Sequence, residues 1–327
     1  MYLHVICERD AGLFSLVQQV IANIPWAISE QRIPVVYFRD KTCYWTPNGY
    51  KNKDTVWEYY FRPVVEAYPA SCIPHRSRQI ISRTHPSPFE IGYFADDYTF
   101  VTNHFGDHPA LTGKTISIPY LWDDPDDALR LKVHDIIRRF IRPRNYLIRK
   151  ANDFFQLHLK GNYVIGVHAR GTDAISKEEI RPHRKDSLVL SKYVKEIQRL
   201  LQDRPLAKIF VATDAQSSLD YLREAFRDRI IAYHSIRHTS GKAAGQGPTG
   251  WIMPGYISGD RDRAAQNGEE AIIEYLLLGR CDYLVHNGSG LARTVLLNVP
   301  QLGHTNTHYR TPADLSPTAV KSVGGKQ

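Results

Sequence analysis

Several features that would announce a function are missing. The four cysteines, Cys7, Cys43, Cys72 and Cys281, form no CxxC pair and no metal-ligand spacing. That excludes a disulfide scaffold and a zinc framework, and leaves reduced thiols as the expectation. No stretch of about 18 apolar residues occurs, so no segment is expected to span a membrane. The residues after Met1 carry neither a basic leader region nor a small-residue cleavage site, so a cytoplasmic location is expected, with peripheral membrane contact left open. No GxGxxG follows the first apolar run, which excludes the usual dinucleotide fingerprint. No DxD or paired-carboxylate motif stands at a strand end, so no metal is expected. Blocks of Lys and Arg are also absent. The positive excess, 42 − 34 = +8, is interleaved with acids and favours small anions over nucleic acid as partners.

What is present reads as a soluble globular chain, 43% hydrophobic and 23% charged. Its 327 residues suit two domains, each of roughly 150. Tyr2 to Cys7 reads as a strand, the apolar positions from Leu13 to Ile28 keep helical spacing, and Pro34 to Phe38 reads as a second strand. Gly12 sits at the first strand-to-helix turn of this βαβ opening. It serves either a tight turn or the close approach of a ligand to the backbone. Cys43 to Phe61 is rich in aromatics, which suit a sugar-binding surface or, more commonly, a satellite core. Prolines interrupt 62–122. Asp123 to Asp127 marks a helix start and Pro143 its end, and a further helix is expected from Tyr146 to Leu159. The Arg and Lys residues between 138 and 150 read as a solvated face. The expected division is 1–155, 156–310 and a disordered tail over 311–327.

The second half alternates β and α. Its organising stretch is Tyr163 to Asp173, an apolar run that stops abruptly in His168, Arg170 and Asp173. In open α/β sheets, ligands bind beyond the carboxyl ends of strands. A guanidinium there grips a phosphate through two parallel hydrogen bonds. Ala207 to Asp214 is a second such strand, Ile230 to Tyr233 a third and Cys281 to His286 a fourth. Asn287-Gly288-Ser289-Gly290 then turns into a helix and offers backbone N–H groups to an anion. Arg237 to Gly268 is expected to be a long loop or lid, followed by a helix from Gly268 to Leu278. His168 with Arg170, Asp214 and Ser289 would converge at one sheet edge as a nucleotide diphosphate site.

Gly166 to Asp173 resembles the first donor-binding motif of the GDP-fucose-dependent fucosyltransferases and is most similar to the α1,6 enzymes. Phe210 to Asp214 resembles their second motif, and Asp282 to Arg293 their third. The likeness covers about 130 residues of the C-terminal half, in the same motif order. It implies an α/β fold of the GT-B type, two Rossmann-like domains facing a cleft. It further implies an inverting, metal-independent transfer, with GDP-fucose as donor substrate and no cofactor. By the resemblance, His168 and Asp214 contact guanine, Arg170 the β-phosphate, and Ser289 with its neighbours the phosphates. Glu178 stands where the α1,6 enzymes have a proposed base; as a sequence feature alone it is equally a solvated acid. Two departures stand out. Gly171 replaces a second arginine and Ala174 a lysine, while the wider superfamily, including protein O-fucosyltransferases, carries one arginine there.

The leading reading is therefore a sugar transferase acting on a glycan or lipo-oligosaccharide acceptor. The alternative is a non-catalytic nucleotide-sugar or glycan-binding protein of the same fold, which would bind the donor without turnover.

Overall fold

The structure, a computed structural model, describes residues 2–9, 11–84, 90–106, 108–119, 123–170, 190–237 and 261–308. The expected lid from 238 to 260, the tail over 311–327, and the candidate residues Asp173 and Glu178 lie outside the described residues.

Two sheets carry the fold. In the first, β1 (Leu3–Cys7) lies between β2 (Ile33–Tyr37) and β4 (Thr99–Thr102), parallel to both, and β3 (Tyr93–Asp96) closes the edge antiparallel to β4. Helix α1 (Leu13–Ser29) makes the β1–β2 crossover and keeps its helical course through Pro25. In the second sheet the order is β7 (Ile230–Ile231), β6 (Lys208–Ala212), β5 (Val164–His168), β8 (Tyr283–His286), β9 (Gly303–Asn306), and every pairing is parallel. All five residues of β1 and of β5 are buried, as the apolar runs require of central parallel strands.

The remaining helices are α2 (Val56–Tyr60), α3 (His75–Arg83), α4 (Asp127–Phe140), α5 (Asn145–His158), α6 (Leu190–Asp203), α7 (Gln216–Phe226), α8 (Arg261–Leu278) and α9 (Gly290–Asn298). Several expectations need correction. Strands β3 and β4 lie in the proline-broken stretch, and β9 was not read at all. The third strand of the second half shortens to Ile230–Ile231. Helix α8 begins at Arg261, inside the stretch expected to be loop. At α4, Asp126 is the N-cap, accepting from Leu129 N at 2.8 Å, so Pro125 precedes the helix instead of lying in its first turn.

One hydrophobic cluster runs through both halves. It joins Phe14 and Val17 of α1 to Tyr275 of α8 and to Leu291 and Val295 of α9. The aromatics of 43–61 belong to it: Tyr44, Trp57, Tyr59, Tyr60 and Phe61 are buried. Helix α9 is held at both ends. At its first turn, Gln18 of α1 donates its side-chain amide to Gly290 O at 2.9 Å and Thr294 Oγ1 at 3.1 Å. At its last, buried Arg130 of α4 donates to the carbonyls of Leu296, Val299 and Leu302. Carbonyls at a helix C-terminus have no intrahelical donor, so a guanidinium there answers both hydrogen bonding and dipole.

Helix α8 approaches α2 through Gly268. A Cβ at that position would fall far inside contact distance of the Tyr60 hydroxyl, which donates to Ala265 O at 2.7 Å. Alanine gains about 1 kcal/mol of helix propensity over glycine, but overpacking a buried contact costs about 1–3 kcal/mol. Gly268→Ala is therefore expected to lower the denaturation midpoint, and Tyr60→Phe in the same chain to restore part of the loss. A Gly268→Ala protein as stable as wild type would place α8 farther from α2.

Candidate active site

The strand order of the second sheet reverses between β5 and β8. From β5 the chain proceeds to β6 and β7 on one side, then returns to β8 and β9 on the other. Such a reversal leaves a crevice beyond the carboxyl ends of the two strands. His168 ends β5, and His286 ends β8. The two loops that follow are tied together: Asn287 Nδ2 donates to Arg170 O at 3.2 Å, and Thr213 Oγ1, beyond β6, donates to Ala169 O at 2.6 Å. Arg170 is thus presented from a backbone held on both sides.

The turn after β8 has the form the sequence suggests. Gly288 has φ +69°, a conformation that favours glycine. Its N–H donates to His286 Nδ1 at 3.0 Å, and Arg293 Nη1 donates to its carbonyl at 2.9 Å. Ser289 caps α9, accepting from Ala292 N at 3.2 Å, and its hydroxyl lies 3.0 Å from His168 Nδ1. The cap and the strand-end histidine therefore act as one unit. Gly12 caps α1 with φ −64°, and a Cβ there would meet nothing within 4 Å. Neither strain nor crowding asks for glycine, so the tight-turn reading has no support, whereas Gly12 does line the cleft. The amino ends of α1 and α9 both open into this cleft, and each carries partial positive charge.

The cleft gathers His168, Arg170, Asp214, Ser289, Gly290 and Gly12. Asn287 and Gly288 stand directly behind it through the bonds above. Its opposite wall was not anticipated. Glu270 and Glu274 of α8 face the strand ends, with Ser235 and Ile236 between. Ser235 Oγ donates to Glu274 Oε1 at 2.5 Å, and Arg237 Nη2 lies 3.9 Å from the same oxygen. Ile236 N donates to Glu270 Oε2 at 2.7 Å. Burial raises both carboxyls, that of Glu274 to about 7. The signal available in the sequence was two acids, Glu270 and Glu274, four residues apart in the largely apolar second half of the helix.

Asp124, His286 and His304 bring one ligand atom each within 4.8 Å of one another. Gly288 N–H already occupies His286 Nδ1, so in the neutral ring Nε2 carries the proton. Burial keeps that ring neutral, with a pKa of about 4. An N–H at Nε2, 3.8 Å from Asp124 Oδ1, offers no lone pair to a metal. The trio fits an electrostatic brace behind the turn, with Asn306 Nδ2 donating to Asp124 at 3.1 Å.

No protein-family model matches the chain, and no curated protein does. Solved structures do match. POFUT1 in complex with GDP-fucose superposes with a TM-score of 0.54 at 14% identity, over 94% of this chain and 99% of that one. NodZ alpha-1,6-fucosyltransferase co-crystallized with GDP gives 0.51 at 15%, over 92% and 93%. Fucosyltransferase NodZ from Bradyrhizobium gives 0.50 at 17%, over 92% and 94%. The fold is that of these fucosyltransferases. At such identities the likeness is one of architecture, and it extends the motif resemblance from the C-terminal half to the whole mixed α/β chain.

The pKa of Glu274, about 7 against an ordinary 4.5, has a consequence for stability. The folded protein keeps a proton that the unfolded chain has lost, so the stabilisation is complete below pH 4.5 and disappears as pH rises through 7. Glu274→Gln cannot ionise. Its melting temperature relative to wild type is expected to rise from pH 4.5 to pH 7, by the equivalent of about 3 kcal/mol at most. A constant difference across that range would show that Glu274 is not the group concerned.

Proposed function

We propose that the chain is a glycosyltransferase of the GT-B type that transfers fucose from GDP-fucose, with inversion and without a metal. The observation that carries this reading is the convergence of Arg170, the Ser289–His168 pair and two helix amino ends at the β5/β8 reversal. A nucleotide diphosphate needs a cation and oriented N–H groups for its phosphates, and acceptors for the guanine N1–H and N2–H groups. Asp214 is a carboxylate suited to the second task. The motif resemblance supports guanine over other bases, as do neighbours that bind GDP and GDP-fucose. The proposed units are 1–155 on the acceptor side and 156–310 for the donor. The acceptor is a glycan or lipo-oligosaccharide, and the location is cytoplasmic.

In the proposed reaction an acceptor hydroxyl attacks the anomeric carbon from the face opposite GDP. The C–O bond to the β-phosphate breaks, and charge grows on the departing oxygen. Arg170 and the amino end of α9 stabilise that charge more in the transition state than in the ground state, which is the condition for raising turnover. The hydroxyl proton goes to a carboxylate, proposed as Glu178.

Thermal shift with GDP, UDP and ADP tests the donor assignment. GDP is expected to raise the melting temperature most, and EDTA to leave transfer unchanged. Tighter binding of UDP, or activity abolished by EDTA, would overturn it. Donor binding without turnover on any acceptor would favour a binding protein.

Arg170→Ala is expected to cut transfer about a hundred- to a thousandfold while circular dichroism and melting persist. Arg170→Lys keeps the charge but not the fork, and should remain well below wild type. Glu178→Gln should lower turnover with GDP affinity retained. A folded Arg170→Ala enzyme at full rate would displace the active site from this crevice.

A further inference from the structure

A second cavity, of about 210 Å³, lies at the other end of α1 and belongs to the first sheet alone. The register places His4 beside Phe100 and Phe100 beside Phe94, so the three form one row across β1, β4 and β3. Trp26 of α1 covers the row, its ring 4.7 Å from that of His4 and 5.3 Å from that of Phe100. Leu111 closes another side. The walls are mostly aromatic and apolar, yet His4, Arg32, Lys114 and Glu30 stand among them.

His4 is fully buried; the Asn23 side chain interacts with its ring, and the ring nitrogens find no closer hydrogen-bond partner among the described residues. Burial and the Arg32 charge lower its pKa to about 3, against a side-chain hydrogen bond with Asn23 that raises it. The ring is therefore neutral, with one N–H to donate. The Arg32 guanidinium lies over the rings of Phe94 at 4.9 Å and Phe100 at 5.6 Å, and its Nη1 is buried without a partner among the described residues. Lys114, the other cation of the cavity, is paired with Glu30 at 2.8 Å, whereas Arg32 has no ion pair among the described residues. Buried polar groups are nearly always satisfied by some partner. An anion or acceptor that fits between the rings would supply such a partner. A cavity of about 150 Å³ is enough for benzene.

We propose that this cavity is a second small-molecule site, one that takes a monocyclic aromatic carboxylate. Its ring lies against Trp26, Phe94 and Phe100, and its carboxylate accepts from Arg32 Nη1 and from the His4 N–H. The carboxylate is the specific element, because a charge-assisted bond to a guanidinium is about twice as strong as a neutral one. Nothing in this assignment depends on the sugar-transfer reading of the first cleft.

Benzoate, benzamide and acetate are the probes, titrated against the full chain by calorimetry and thermal shift. Benzoate is expected to bind and raise the melting temperature. Benzamide, which lacks the charge, and acetate, which lacks the ring, should bind at least about tenfold more weakly. Arg32→Met should lose benzoate binding by a similar factor. No binding of benzoate to wild type, equal binding of benzamide, or an unchanged response in a folded Arg32→Met protein would each overturn the proposal. If Arg32→Met does not fold by circular dichroism, the imidazole nitrogen resonances of His4 in wild type, assigned with His4→Phe, decide. They shift with benzoate if the assignment holds and stay fixed if it fails.

Discussion

The cleft exists because the first turn of α1 packs against the first turn of α9. Gln18, buried completely, spends its amide on Gly290 O and Thr294 Oγ1, and Phe14 meets the Tyr275 ring at 5.2 Å. The Gly290 backbone lies close to the first turn of α1: a Cβ there would make an ordinary contact with Ser15 N at 3.5 Å. Two helices that start different crossovers in different sheets are thereby brought together amino end to amino end. Like partial charges of that kind repel each other, so the arrangement needs buried apolar surface and a shared hydrogen-bonding amide to hold it. The result is a concentration of N–H groups that no single βαβ unit supplies.

The rest of the cleft answers that positive end. Arg170 and the capped turn stand on one side, and Glu270 and Glu274 on the other. The acids are not free charges in a dry wall. Each accepts from a named group of the segment at 235–236, and burial pushes both towards the neutral form. Behind the turn, His286 is kept neutral so that Nδ1 can accept the Gly288 N–H and hold its left-handed conformation. The clamp by Arg130 at the far end of α9 prevents the helix from sliding away from this turn.

Much of the candidate site could be read from residue order. A buried parallel strand is an almost continuous apolar run, and it stops where the chain turns towards solvent or ligand. Val164 to Val167 and Ile209 to Ala212 are such runs, so the polar residues after them were visible as strand-end groups. The Asn287 to Gly290 turn was visible for a similar reason, since glycine, serine and asparagine punctuate the step from strand to helix. Glu270 and Glu274 were not, because acids four residues apart on a helix usually mark a solvated face. The start of α8 was hidden by a glycine-rich neighbourhood, and packing against Tyr60 overrode the weak local preference. Four-residue strands such as Gly303 to Asn306, with a single β-branched residue, carry no periodicity to detect.

By itself, then, the sequence determined local matters: where the longer apolar strands run, where each stops, and which charged or capping residues wait at the stops. Only the tertiary structure decided which stops are neighbours. Strand β5 pairs with β8 across more than a hundred residues of chain, and α1 meets α9 across the whole molecule. The same is true of His4, an ordinary polar residue in an apolar strand until Trp26, Phe100 and Arg32 enclose it. Periodicity and turn chemistry act over a few residues. Adjacency is set by burying apolar surface between segments far apart in the chain, and no local pattern records which partner wins.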